Sequence, residues 1–148
     1  MPDRIWSGLA TAWAADSMAT TFPGGIHAGR QAEPSAWPYV AIIDMGNALQ
    51  FLTSGGESGG SQFRRHIFQV EIWYKAASGA DPYAPLGTLM RTFDSFMQSH
   101  NRDLFYSASE GRVLYVENMD ERIMEGEDDR VYFGQIDYRA RRHKVVTK

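Results

Sequence analysis

Cysteine is absent from the 148 residues, and with it go disulfide staples, thiolate metal sites and a cysteine nucleophile. That lack suits a reducing cytosol. No apolar run reaches the roughly 20 residues that a membrane-spanning helix needs, so no membrane partner is expected. A basic surplus is missing too: the formal net charge is -3, which leaves no overall positive field to gather nucleic acid. The four histidines, His27, His66, His100 and His143, are scattered without H-E-x-x-H or paired-ligand spacing, so no metal and no cofactor is expected. There is no internal repeat. What the chain does have is apolar area, 43% hydrophobic residues, enough for one core and hence one domain over residues 1–148.

Periodicity organises that area. Ile5, Trp6, Leu9, Ala12 and Trp13 recur at helical spacing behind Asp3, a capping residue, and TTFPGG stops the helix near Met18. GLATAWAA has the apolar look of a signal peptide, but Asp3, two tryptophans and the periodicity favour a folded helix. A short strand is expected over His27 to Gln31, then an irregular EPSAWP connection. Tyr39 to Met45 is apolar at nearly every position and reads as a central strand covered on both faces; another begins at Leu49 to Thr53. Phe68, Val70, Ile72 and Tyr74 alternate with Gln69, Glu71 and Lys75, with Ile67 and Trp73 interrupting the polar face. Asp81 and Pro82 open a second helix, delayed by Pro85, whose stripe is Leu86, Leu89, Met90, Phe93, Phe96 and Met97. LFYSASEGRVLYVENM reads as two strands around a turn, and VYFGQIDYRARR as a closing strand. The expected fold class is α+β: an antiparallel or mixed β-sheet, two main helices packed on one face, and a long β-hairpin loop.

That loop, Gly55, Gly56, Glu57, Ser58, Gly59 and Gly60, contains GESGG, which matches G-x-S-x-G and resembles a serine-protease nucleophile setting. A nucleophile elbow needs a helix directly after the serine, and here a strand follows. His27, Asp44 and Ser58 fall in His-Asp-Ser order, yet a double-barrel protease places its serine late in the chain. No G-x-x-x-x-G-K-[ST] is present for phosphate. The segment reads as a hairpin loop, with a serine hydrolase or a cytosolic ligand-binding domain as competing classes.

Charge is concentrated in two places. DERIMEGEDDR, Asp120 to Arg130, carries six carboxylates against two arginines, including Glu125, Glu127, Asp128 and Asp129, and lacks the EF-hand register for calcium. RARRHKVVTK, with Arg139, Arg141 and Arg142, has five basic residues and no acid, and is expected as a flexible basic tail from about residue 140. If copies meet head to tail, one patch can face the other, and such contacts close into rings when the rotation permits.

The order of elements, an N-terminal helix, PYVAI, FQVEIWYKA, a helix through LMRTFDSFM and VYFGQIDYRARR, resembles the tail-terminator or tail-completion proteins of long-tailed bacteriophages and phage-like particles, from about Arg4 to Arg142. The resemblance implies a virion protein of the head-tail junction, assembled in the host cytoplasm. It implies a ring, typically a hexamer, that caps the tail tube, ends its growth and docks the head, with DNA passing through the lumen without specific binding and no catalysis. Partners would be copies of itself, the tail tube protein and a neck or head-completion protein; neck proteins themselves share this style. GESGG would serve as a hairpin tip. The EPSAW connection and the acidic segment have no counterpart in that pattern.

Overall fold

The computed structural model describes residues 5–52, 60–100, 105–107 and 111–146. Helix α1 (Ile5–Ala15) and a 3-10 turn (Met18–Thr20) precede strand β1 (Ile26–His27), followed by β2 (Tyr39–Leu52), β3 (Gly60–Lys75), α2 (Tyr83–Ser99), β4 (Phe105–Ser107), β5 (Gly111–Glu125) and β6 (Val131–Val146). The strands form one mixed sheet in the order β1-β2-β3-β6-β5-β4, parallel between β1 and β2 and antiparallel elsewhere. The two helices and the sheet make the α+β class expected from the periodicity.

Alternation along the strands divides the sheet into two faces. One carries Val40, Ile42, Phe68, Val70, Ile72, Val116, Ile136 and Tyr138, all buried beneath the helices. Helix α1 adds Leu9, Ala12 and Trp13, and α2 adds Leu86, Met90, Phe93, Phe96 and Met97, the stripe read from the sequence. Phe93 sits at the centre of an aromatic cluster with Trp13, Phe22, Phe96 and Tyr138. Tyr138 donates a hydrogen bond of 2.8 Å to Asp94 on α2, which ties helix to sheet. Burial, followed by the neighbouring Asp94 carboxylate, pushes the Tyr138 hydroxyl far above its ordinary pKa, so it stays a donor. Gly134 admits α2 closely: a Cβ there would collide with the Met90 sulfur.

Five expectations change, the first being the short strand, which covers Ile26–His27 rather than His27 to Gln31. The two strands anticipated at Tyr39–Met45 and Leu49–Thr53 are one strand, β2, because bulges between Asp44 and Gly46 and between Leu49 and Phe51 absorb the irregular MGN stretch without ending the pairing. β2 is buried on both faces at Tyr39–Ile42 but lies second from the edge rather than at the centre. Pro85 delays nothing: it falls in the first turn of α2, where its missing N–H would have no partner anyway, while Asp81 accepts a 2.9 Å bond from the Tyr83 N–H. The acidic segment and the basic segment are largely strand. Asp120–Glu125 finish β5, and the residues from 140, expected as a tail, continue β6 to Val146, paired with β3 throughout and with β5 as far as His143.

The irregular connection before β2 is anchored at Gly24, whose N–H bonds to the Pro38 carbonyl. A Cβ at Gly24 would collide with the Ala36 carbonyl oxygen, and would meet Tyr39 Cβ at 2.6 Å and the Pro38 carbonyl oxygen at 2.9 Å, all close to the main chain and unable to swing away. Gly24→Ala should therefore destabilise the fold by about 1–3 kcal/mol. Urea denaturation at fixed protein concentration reads the loss; an unchanged midpoint would show that this connection does not pack against β2.

Candidate interaction surface

The face of the sheet away from the helices holds the features that packing leaves unexplained. Registers place Tyr39 of β2 opposite Trp73 of β3, and Trp73 opposite Phe133 of β6, so three aromatic rings fall in one row. Tyr39 and Trp73 stack at 6.1 Å, and Trp73 and Phe133 at 4.4 Å; Trp37, from the connection, extends the row at 5.5 Å from Tyr39. The connection also brings Arg30 over the row, its guanidinium 5.7 Å from the centres of both Trp73 and Phe133.

Arg30 is held there by Glu71, a carboxylate with 0% exposure. Two parallel hydrogen bonds of 2.7 Å join the guanidinium to the two carboxylate oxygens, and the Trp73 indole N–H donates a third at 3.1 Å. A buried charge survives only when paired and hydrogen-bonded, and this fork-to-fork geometry supplies both. Glu71 in turn raises the Arg30 pKa, chiefly by hydrogen bonding. Tyr39 has its hydroxyl pKa raised by burial, and the Gln31 N–H donates to its oxygen at 3.2 Å. Between the aromatic row and the β5–β6 turn lies a groove of about 550 Å³, rimmed by Glu125, Glu127 and Asp128.

Successive rows run from acidic to basic along the same face. Beside Glu71, Gln135 accepts a hydrogen bond from Arg122. Next, Gln69 donates to Asp137 at 2.9 Å, and Arg122 also pairs with Asp120 at 3.0 Å and Asp137 at 3.6 Å. Arg139 then pairs with Glu117 at 2.6 Å. The next row on this face sets Arg65 of β3 directly opposite Arg141 of β6. Their backbone neighbours Arg64 and Arg142 are opposed in the same way, and Arg112 of β5 faces His143.

The residues singled out in the sequence thus separate. Gly60 opens β3 opposite Val146, while Gly55, Gly56, Glu57, Ser58 and Gly59 lie outside the described residues. Glu127, Asp128 and Asp129 form the tight turn after β5, closed by bonds between Gly126 and Val131 and between Val131 and Asp128, with Arg130 at positive φ. Arg139, Arg141 and Arg142 stand at the opposite end of β6. His27, first of the His-Asp-Ser trio, donates to the Gly24 carbonyl at 2.6 Å and packs edge-on against Tyr39. Sequence reasoning missed Arg30, Trp37 and the groove. The one signal was Trp73, a large aromatic on the polar face of β3. Among the described residues no helix is long and apolar enough to cross a membrane, and no group of three or more His, Asp or Glu side chains could hold a metal ion.

No family model and no curated protein matches the chain. Among solved structures, a chain of the virion of a native gene transfer agent particle has a similar fold, with a TM-score of 0.60 and 16% identity over 97% of this chain and 94% of that one. At that identity the likeness establishes the fold.

Proposed function

We propose that this chain is a structural protein of a phage-like particle, and more specifically a tail terminator: a ring, of the hexameric kind, that caps the tail tube, ends its polymerisation and presents the surface on which the head docks. The observation that carries the reading is the fold shared over nearly the full length of both chains with a component of a gene transfer agent virion. The charge distribution supports association of copies. The acidic turn and the Arg65–Arg141 row lie about ten residues apart along β6, roughly 33 Å at strand rise. That exceeds the roughly 8 Å over which charges communicate at physiological salt, so the two ends cannot satisfy one another within one molecule. A contact between unlike ends is heterologous, and such contacts close into rings when the rotation permits. The net charge of -3 suits a lumen through which DNA passes without being gripped. In this reading the Gly55–Gly60 segment contacts the tube or the neighbouring ring.

The test is reconstitution of particles without the protein. Tubes of uncontrolled length with no heads attached are expected, and adding the purified protein should restore both. Tubes of normal length that merely lack heads would instead mark a neck protein, and normal particles would remove the virion role altogether.

A further inference from the structure

We infer that the two long edges of the sheet pair with one another between copies, so that β2 of one subunit adds to β5 of the next and a closed ring leaves neither edge bare. The inference rests on the ring reading above, supplies its lateral contact, and uses neither charged end.

Strand direction allows this junction. β2 and β5 run in opposite directions, because the pairings β2–β3, β3–β6 and β6–β5 are all antiparallel. A copy set beside the first in the same orientation therefore presents its β2 antiparallel to the first copy's β5, the slightly more stable kind of pairing. The contact joins unlike edges, so it is heterologous, as a ring requires.

The free lengths also match. β1 takes the outer edge of β2 only at Val40 and Ala41, and β4 takes that of β5 only at Gly111 and Arg112. At the level of residues 136–142 of β6, residues 42–49 of β2 and 113–121 of β5 have no outer partner strand among the described residues. Bare edges of this length call for cover.

Each bare stretch also carries a bulge beside Tyr138 of β6, between Asp44 and Gly46 in β2 and between Asn118 and Asp120 in β5. The bulged residues are both methionines, Met45 at 58% exposure and Met119 at 51%. By alternation both stand on the face away from the helices. Edges set side by side bring the two to one level, where each covers apolar surface that the other leaves in water. The flexible thioether suits such a seam.

Charge selects among the pairings. If two β5 edges met, Glu117, Asp120 and Glu121 would be set against their own copies, whereas β2 carries one charged side chain, Asp44, along its whole length. Two β2 edges together would leave Met119 and the β5 edge uncovered. The unlike pairing covers both.

The full chain has no cysteine, so Met45→Cys and Met119→Cys report without background. Treated with a short bis-maleimide, a mixture of the two single variants should give a covalent dimer, and each alone none. The double variant should give a ladder of products that ends at the ring. Denaturing electrophoresis reads all three, and circular dichroism confirms that each variant folds. In a separate arm, Met119→Lys places a charge on the seam and should weaken association about ten-fold or more, read by sedimentation velocity.

Rings that give no mixed product, or that survive Met119→Lys undiminished, overturn the inference and leave the ring reading standing. Self-linking of Met45→Cys would mark a pairing of two β2 edges and self-linking of Met119→Cys one of two β5 edges, and either result overturns it as well. A chain that forms no ring, alone or in reconstituted particles, overturns both.

Discussion

Phe93→Ala is expected to lose about 3–5 kcal/mol of folding stability, a large part of the roughly 5–15 kcal/mol that holds a typical domain together. Phe93 is fully buried, and its ring is within 6.4 Å, centre to centre, of Trp13, Phe22, Phe96 and Tyr138. Those partners come from α1, from the segment after the 3-10 turn, from α2 itself and from β6. Removing the ring thus opens a cavity where the whole helix layer meets the sheet. Its walls are rigid aromatics that collapse poorly, which places the loss toward the upper end. Phe93→Leu keeps most of the volume and should lose far less. Urea unfolding followed by tryptophan fluorescence measures both, at one protein concentration because association shifts apparent stability. A loss below about 1 kcal/mol for the alanine variant would mean that this cluster is not the centre of the core.

The same cluster shows how much of the fold was legible. The stripe on α2 and the alternation in β3 declare their buried faces locally, because a helix repeats about every 3.6 residues and a strand every two. Register is different. Tyr39, Trp73 and Phe133 come from three distant segments, and only the pairing of β2 with β3 and of β3 with β6 brings them into one row. No local pattern encodes that alignment, and bulges in β2 and β5 shift it further along the strands. The groove was invisible for this reason, and Arg30, in a stretch with no periodicity, gave no hint of its partner.

The two charged segments misled for a related reason. Asp120–Glu125 and the residues after Arg139 carry too little apolar alternation to read as strands; they are strands because they are paired along their length. In β5 the charge has a further use. Beyond Arg112 the outer edge of β5 has no partner strand among the described residues, and Glu117, Asp120, Glu121 and Glu125 make it a poor template for indiscriminate sheet extension. A composition that reads as loop therefore protects an edge.

The second large effect concerns the buried carboxylate under the groove. Arg30→Ala removes the counter-charge of Glu71 and leaves the carboxylate with the Trp73 indole as its one remaining partner among those described above. Breaking a fully buried ion pair typically costs about 3–5 kcal/mol. Here the Arg30 side chain is 58% exposed while Glu71 is fully covered, so water can approach the vacated side and the expected loss falls to about 2 kcal/mol. Glu71→Gln alone strands a guanidinium that can turn to solvent, and should cost about 1 kcal/mol. The informative variant is the double one. Once Glu71→Gln has removed the charge that needs compensation, the amide carbonyl at that position still accepts from Trp73, so adding Arg30→Ala should then cost little. The four unfolding free energies should yield a coupling of about 1–2 kcal/mol. Strict additivity would mean that the pair contributes nothing beyond its separate side chains. Coupling of that size would show that the ion pair itself, beyond the packing of its two side chains, holds the connection over the sheet.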